Sequence, residues 1–379
     1  MSTKTTTSTL MKVCELATTC PGCSLWGTSY NEQLHEKTKR LEQLFQGHLA
    51  PNTTRSHSAG EYGLRERFDF IIKENQIGLI DKERNFIPIN KCLQLAPKLQ
   101  EAFDLITQTK FNIRIGTIRL RVSSHNQVSK YGLWLDFANN DIKNLLVEKT
   151  VLQKLSKDFF IEVGQKKKCL DETSFDKEQI KLADPKMQHW FYTYNYKTNS
   201  PLNLNCAVSS FTQPSAATAK LMTDIIAEWM SGHTQNVWEF GCGIGQYTFP
   251  LLSLGHKVSV FENDEFALES VKRTAEENNL KDNLTINAGD FQRPQTITQT
   301  SPDTVLVNPP KSGLKSFAQN VIAAHPNKII YVSCYPESLR ADSEIFLQHN
   351  YKITQAHIVD QFPQTNHFEV VMLFERVNI

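Results

Sequence analysis

A cysteine closing one apolar run and an Asn-Pro-Pro turn closing another are the residues of this chain best placed to do chemistry. Cys334 follows KIIYVS (328–333) within VSCYPESLRAD (332–342), and Asn308-Pro309-Pro310 ends the run in VLVNPPKSGL (305–314). Such runs read as buried parallel strands. In open α/β sheets the reacting groups lie outside the carboxyl ends of the strands. A thiol and an Asn-Pro-Pro turn on neighbouring strand ends suit chemistry on a flat polar ring. A lone strand-end cysteine is ordinarily inert, so its surroundings decide its meaning.

The third piece is a glycine loop. Gly241, Gly243 and Gly245 form G-x-G-x-G directly after VWEF (237–240). Glycine lets the backbone approach a ligand closely at a helix N-terminus. Glu262 ends the next strand, VSVFE (258–262), where an acid takes ribose hydroxyls. Asp290 ends LTINAGD (284–290), where an adenine-contacting acid would fit. The loop departs from G-x-G-x-x-G. With the Asn-Pro-Pro turn added, S-adenosylmethionine becomes a better ligand than a nicotinamide dinucleotide.

The elements that must position these groups follow from periodicity. From about residue 211 the pattern is strand, turn, helix, repeated, and it ends in an antiparallel pair, YKITQAHIVDQF then VVMLFERV. Strands alternating with helices imply a doubly wound, Rossmann-like α/β sheet. The first half is less regular. FDFIIKENQIGLIDKERN and IRIGTIRLRVS read as hairpin strands, and QLHEKTKRLEQLF and QLAPKLQEAFDLI as amphipathic helices, so an α+β domain is expected there. Composition places the boundary near residue 205, giving domains 1–205 and 206–379.

The chain has 379 residues, enough for two cores. Its net charge of +1 hides an asymmetry: residues 1–205 carry 29 Lys/Arg against 22 Asp/Glu, and residues 206–379 carry 12 against 18. A basic half joined to an acidic half fits an RNA-holding module attached to a catalytic one. No apolar run approaches the ~18 residues of a membrane span, and the first residues lack a signal-peptide apolar region. A cytoplasmic protein is expected, and a monomer. Its eight cysteines then point to metal or catalysis rather than disulfides.

Taken together, SSFTQPS (209–215), WEFGCGIGQ (238–246), VFEND (260–264), VLVNPPKSGL, YVSCYPESLRAD and DQFPQTNHFE (360–369) resemble the uracil-C5 RNA methyltransferases, in that family's order across the whole catalytic half. The resemblance implies that Cys334 is the nucleophile and that Glu369 is the base. It also implies that Gln213, Gly241, Glu262 and Asn308 line the S-adenosylmethionine pocket. The chemistry agrees. C5 of uracil is too poor a nucleophile to be methylated directly, whereas thiolate addition at C6 loads C5 with electron density. A base must then remove the C5 proton. His367 either supports the catalytic groups from behind or is an ordinary surface or core residue. Amino-group methyltransferases share Asn-Pro-Pro but follow it with an aromatic residue, where this chain has Lys311. A noncatalytic RNA-binding subunit with a relic pocket is disfavoured by the presence of both Cys334 and Glu369.

Cys14, Cys20 and Cys23 read C-x5-C-x2-C, a spacing that suits a zinc knuckle. The family resemblance implies instead a 4Fe-4S cluster completed by one distant cysteine, with Cys92 the best match and Cys169 in reserve. Cys206 and Cys242 belong to the catalytic half. By the same resemblance Arg65 and Arg67 in YGLRERFDF (62–70) are RNA contacts or a solvated strand edge. The run from Lys166 to Lys168 reads as a solvated turn, with phosphate contact the minor alternative. The sequence given begins almost at the cysteines, leaving no room before them for the small β-barrel of some relatives. This layout resembles the 23S ribosomal RNA enzymes that carry a cluster. Transfer RNA is the alternative substrate. Either way the target uracil must leave its stack to meet Cys334.

Overall fold

The computed structural model describes residues 14–49, 54–111, 114–176, 178–289 and 301–377. An eight-stranded sheet organises the second half. Its order is Thr54–Ser58, Tyr351–Asp360, Glu369–Arg376, Lys328–Ser333, Thr304–Val307, Asn236–Phe240, Lys257–Glu262 and Leu284–Ala288. Glu369–Arg376 runs antiparallel to both neighbours; the remaining pairs are parallel. The apolar runs are strands because both sheet faces are covered. Val305, Val307, Ile329 and Tyr331 enter one core, and Leu306, Ile330 and Val332 enter the other. This is the two-residue alternation of a pleated strand with helices on each side.

The order reverses at Asn236–Phe240. The chain steps outward from it through Lys257–Glu262 to Leu284–Ala288. It then crosses back to Thr304–Val307 on the other side. Such a reversal opens a crevice at the carboxyl edge.

A seven-stranded, mostly antiparallel sheet holds the other core, under the helices Pro97–Thr107 and Lys149–Asp158. Its first hairpin, Arg67–Lys73 with Gln76–Ile80, turns on Glu74 and Asn75 at φ 50° and 63°. Positive φ at both turn residues matches the twist of the flanking strands.

The division between cores does not coincide with residue 205. The helix Tyr30–Leu44 and the strand Thr54–Ser58 belong to the large sheet, the strand pairing in parallel with Tyr351–Asp360. Leu41 and Phe45 are fully buried in the core of that sheet. The hairpin Gln188–Asn195/Ser200–Cys206 also sends Trp190 and Leu204 into a core of the eight-stranded sheet. A compositional boundary misses this because pairing depends on surfaces contributed by segments far apart in sequence. Among the described residues no helix is long and apolar enough to cross a membrane.

Candidate active site

A cleft of about 640 Å³ lies along the carboxyl edge at the reversal, and Gln213, Gly241, Glu262, Asn308, Cys334 and Glu369 all line it. Gly241, Gly243 and Gly245 have φ of 75°, 54° and 93°, the left-handed region that glycine enters freely. Gly243 N donates to Glu262 Oε2 at 3.0 Å, which ties the loop to the next strand end. Asp264 caps the helix Glu265–Glu277 through the Phe266 and Ala267 amides, so Glu262 is not that helix's cap. Asp290 lies outside the described residues.

Cys334 sits between the strand Lys328–Ser333 and the helix Pro336–Gln348, whose Pro336 takes the first turn where a missing N–H costs nothing. The Asn-Pro-Pro loop is fixed to it from below. Buried Asp342 accepts Leu314 N at 2.6 Å, Lys315 N at 3.0 Å and the Tyr331 hydroxyl at 2.6 Å. Gly313 lies against this staple with φ 75°, and a Cβ there would stand 2.6 Å from Asp342 Oδ2.

Glu369 is buried at the start of its strand. Burial pushes its carboxyl up to about 7, against the opposing pull of Lys311. Burial, and then the Glu369 charge, push the Cys334 thiol up to about 11, and Lys311 again opposes the shift. The site thus couples a protonated thiol, a carboxyl poised near neutrality and one lysine that favours the anionic form of both.

Cys334, Glu369, Lys311 and Gln213 also line a second cleft, of about 440 Å³, that runs outward past Arg65, Arg67, Phe211 and His367. Phe211 is 63% exposed, and the Arg67 guanidinium lies 5.0 Å from its ring centroid. The Arg65 guanidinium is 5.2 Å from the Phe362 ring. Arg65 and Arg67 are therefore in the wall of the cleft rather than on a solvated edge. His367 lines this second cleft and is not among the residues lining the first. Of the lysine run, Lys167 pairs with Asp264 at 3.7 Å and Lys168 with Asp184 at 2.6 Å.

Three positioning groups carried little signal in the sequence. Asp342 stood within the quoted SLRAD motif, but its role needs the fold. Gln361 joins Gln213 to Glu369, yet a glutamine in a loop announces nothing. Lys37, buried against Asp360 at 2.7 Å, looks like any charge on an amphipathic helix.

Cys14, Cys20, Cys23 and Cys92 line one apolar cavity together with Leu16, Trp26 and Ile89. Burial, with Cys92, Cys20 and Cys14 adding, drives Cys23 up to about 12. Cys169 is buried in the strand Lys168–Leu170, outside that cavity. Among the described residues no three His, Cys, Asp or Glu side chains converge to hold a single metal ion.

A family profile described as tRNA (Uracil-5-)-methyltransferase matches residues 29–377. An uncharacterized RNA methyltransferase of Bdellovibrio bacteriovorus is 37% identical over 96% of this chain and 95% of the relative. A 23S rRNA (uracil(1939)-C(5))-methyltransferase RlmD of Shewanella sp. (strain W3-18-1) is 27% identical over 94% of this chain and 80% of the relative. The solved structure of Pyrococcus abyssi tRNA (uracil-54, C5)-methyltransferase with S-adenosyl-L-homocysteine matches at TM-score 0.68 and 21% identity. It covers 96% of this chain and 88% of that one, a likeness of fold.

Proposed function

Since the chain belongs to the tRNA (uracil-5-)-methyltransferase family and is an S-adenosylmethionine-dependent RNA uracil-C5 methyltransferase, we propose that it methylates a uridine of 23S ribosomal RNA by covalent catalysis through Cys334. The observation that carries this reading is that Cys334 and Glu369 line both clefts. One cleft has the glycine loop and strand-end acid suited to S-adenosylmethionine. The other has the aromatic and arginine wall suited to a base drawn out of its stack.

Bound S-adenosylmethionine supplies an electrophilic methyl group. Gln213, Gly241, Glu262 and Asn308, which line the same cleft as Cys334, would hold it. Lys311 favours loss of the Cys334 proton to solvent, which leaves the Glu369 carboxylate free for the later step. The thiolate adds to C6 of uracil, and the C5=C6 pair becomes an enolate whose C5 would take the methyl group as the methyl–sulfonium bond breaks and its electron pair leaves with S-adenosylhomocysteine. Glu369 then takes the C5 proton. The C–H electron pair re-forms C5=C6, and the C6–S bond breaks to return the thiolate.

In the same reading Cys14, Cys20, Cys23 and Cys92 hold a 4Fe-4S cluster, which supplies a cross-link and no electron to the reaction. Four thiols lining one cavity supply the four thiolates that such a cluster takes as ligands. The choice of 23S over transfer RNA rests on the RlmD relatives and on the cysteine cavity. Mapping 5-methyluridine in both RNAs from a deletion strain tests it. Loss of a 23S methyl group is expected, and loss confined to transfer RNA would overturn the target.

A further inference from the structure

We infer that Gln361 is the positioning residue for Glu369, holding the carboxylate ready to accept the C5 proton and tying it to Gln213 on the cofactor side. The inference rests on the proposed base role of Glu369.

Gln361 is 1% exposed. Its Nε2 donates to Glu369 Oε1 at 3.0 Å and to Gln213 Oε1 at 2.6 Å, which uses both amide hydrogens. Its Oε1 accepts the Thr218 hydroxyl at 3.1 Å. The amide orientation follows from Glu369, since a carboxylate is an acceptor and only the nitrogen can face it. One amide group thus bridges the cofactor wall and the base.

The backbone under this amide is fixed as well. Asp360 is fully buried, paired with Lys37 at 2.7 Å and receiving the Tyr30 hydroxyl at 2.9 Å. Four residues after Asp360, Gln364 N donates to Gln33 Oε1 at 2.9 Å, and Gln364 O accepts Leu25 N at 2.9 Å. The loop from 361 to 368 therefore hangs between two anchors on the segment at 25–37, and Gln361 is its first residue.

A donor aimed at a buried carboxylate favours the charged form. That form is the one able to take a proton, so losing the donor should raise the pH at which elimination switches on. A hydrogen bond to a charged group corresponds to a shift of about one pH unit. Addition and methyl transfer precede the base step and need no such donor.

The test compares wild type with Gln361→Met and Thr218→Val in single-turnover reactions across pH. It follows release of methylated RNA and the denaturation-resistant RNA–protein adduct. For Gln361→Met the acid limb of release should move up by about one unit, and adduct should accumulate on natural RNA at neutral pH. With S-adenosylmethionine saturating, so that any loosening of Gln213 does not limit the reaction, RNA carrying 5-fluorouridine should still trap the variant at near the wild-type rate, because the steps before elimination do not use the base. Thr218→Val, which loosens the amide without touching the base, should shift the limb in the same direction by less, and it carries the test should Gln361→Met fail to fold. An unshifted release profile, or trapping slowed as much as release, would overturn the role of Gln361. Absence of any adduct with wild type would overturn the covalent reading itself, and the inference with it.

Discussion

The Tyr331 hydroxyl donates to Asp342 at 2.6 Å, joining the strand that ends in Cys334 to the helix that follows it. The same carboxylate holds the amides of Leu314 and Lys315. One acid therefore sets the thiol against the Asn-Pro-Pro turn and Lys311. Asp342→Ala would leave two buried donors and one part-buried donor unpaired, and we expect a loss of about 3 kcal/mol in urea unfolding. Gly313→Ala should weaken the same staple, since its Cβ meets Asp342 from a left-handed backbone. Stability unchanged in both variants would show that the staple contributes nothing.

Cys334→Ala should abolish methyl transfer while leaving S-adenosylmethionine affinity near normal, because the thiol acts on the base. With 5-fluorouridine in the RNA, wild type should form an adduct that survives denaturation, since fluorine cannot leave as a proton does. Production of 5-methyluridine by the alanine variant would exclude covalent catalysis.

The Glu369 carboxyl is raised to about 7 from an ordinary 4.5, and with Glu369 as the proposed base turnover should depend on pH. Proton removal needs the ionised form, so the elimination rate should rise with pH to a plateau above about 7. Stability runs the other way. The folded state binds this proton more tightly, so the contribution is complete below pH 4.5 and is lost as pH rises through 7. The full span is roughly 3 kcal/mol. Glu369→Gln should remove both dependences and accumulate adduct on natural RNA. Rapid turnover by that variant would move the base elsewhere, with His367, on the same cleft, the first alternative.

Lys37→Met should destabilise the protein by about 3–5 kcal/mol, because it leaves Asp360 charged and buried. Lys37→Met combined with Asp360→Leu should recover much of that loss. Thermal unfolding of the single and double variants decides it, and additive losses would exclude a coupled pair.

Protein purified without oxygen should be brown, with iron and sulfide each near about four per chain. Cys92→Ser should remove the colour and lower the stability of the seven-stranded unit, by reopening a loop of roughly seventy residues. Cys169→Ser should retain colour, because that thiol lies outside the cysteine cavity. Stoichiometric zinc without sulfide would replace the cluster with a single-ion site.

The sequence by itself determined what each strand end could do. Apolar runs closing on Cys334, Asn308, Gly241 and Glu262 are local patterns, and the pleat and the turn chemistry that expose those residues are encoded within a few positions. The order of the runs implied the doubly wound sheet, and the sheet has it. The tertiary structure alone decided which strand ends meet. Glu369, which the resemblance already implied as the base, came to line both clefts with Cys334 only through pairing of Glu369–Arg376 beside Lys328–Ser333. Thr54–Ser58 joined the catalytic sheet across the boundary that composition suggested. Lys37 reached Asp360 over 323 positions. Contacts of that range depend on the shape and polarity of two completed surfaces, and neither surface exists in a short stretch of sequence.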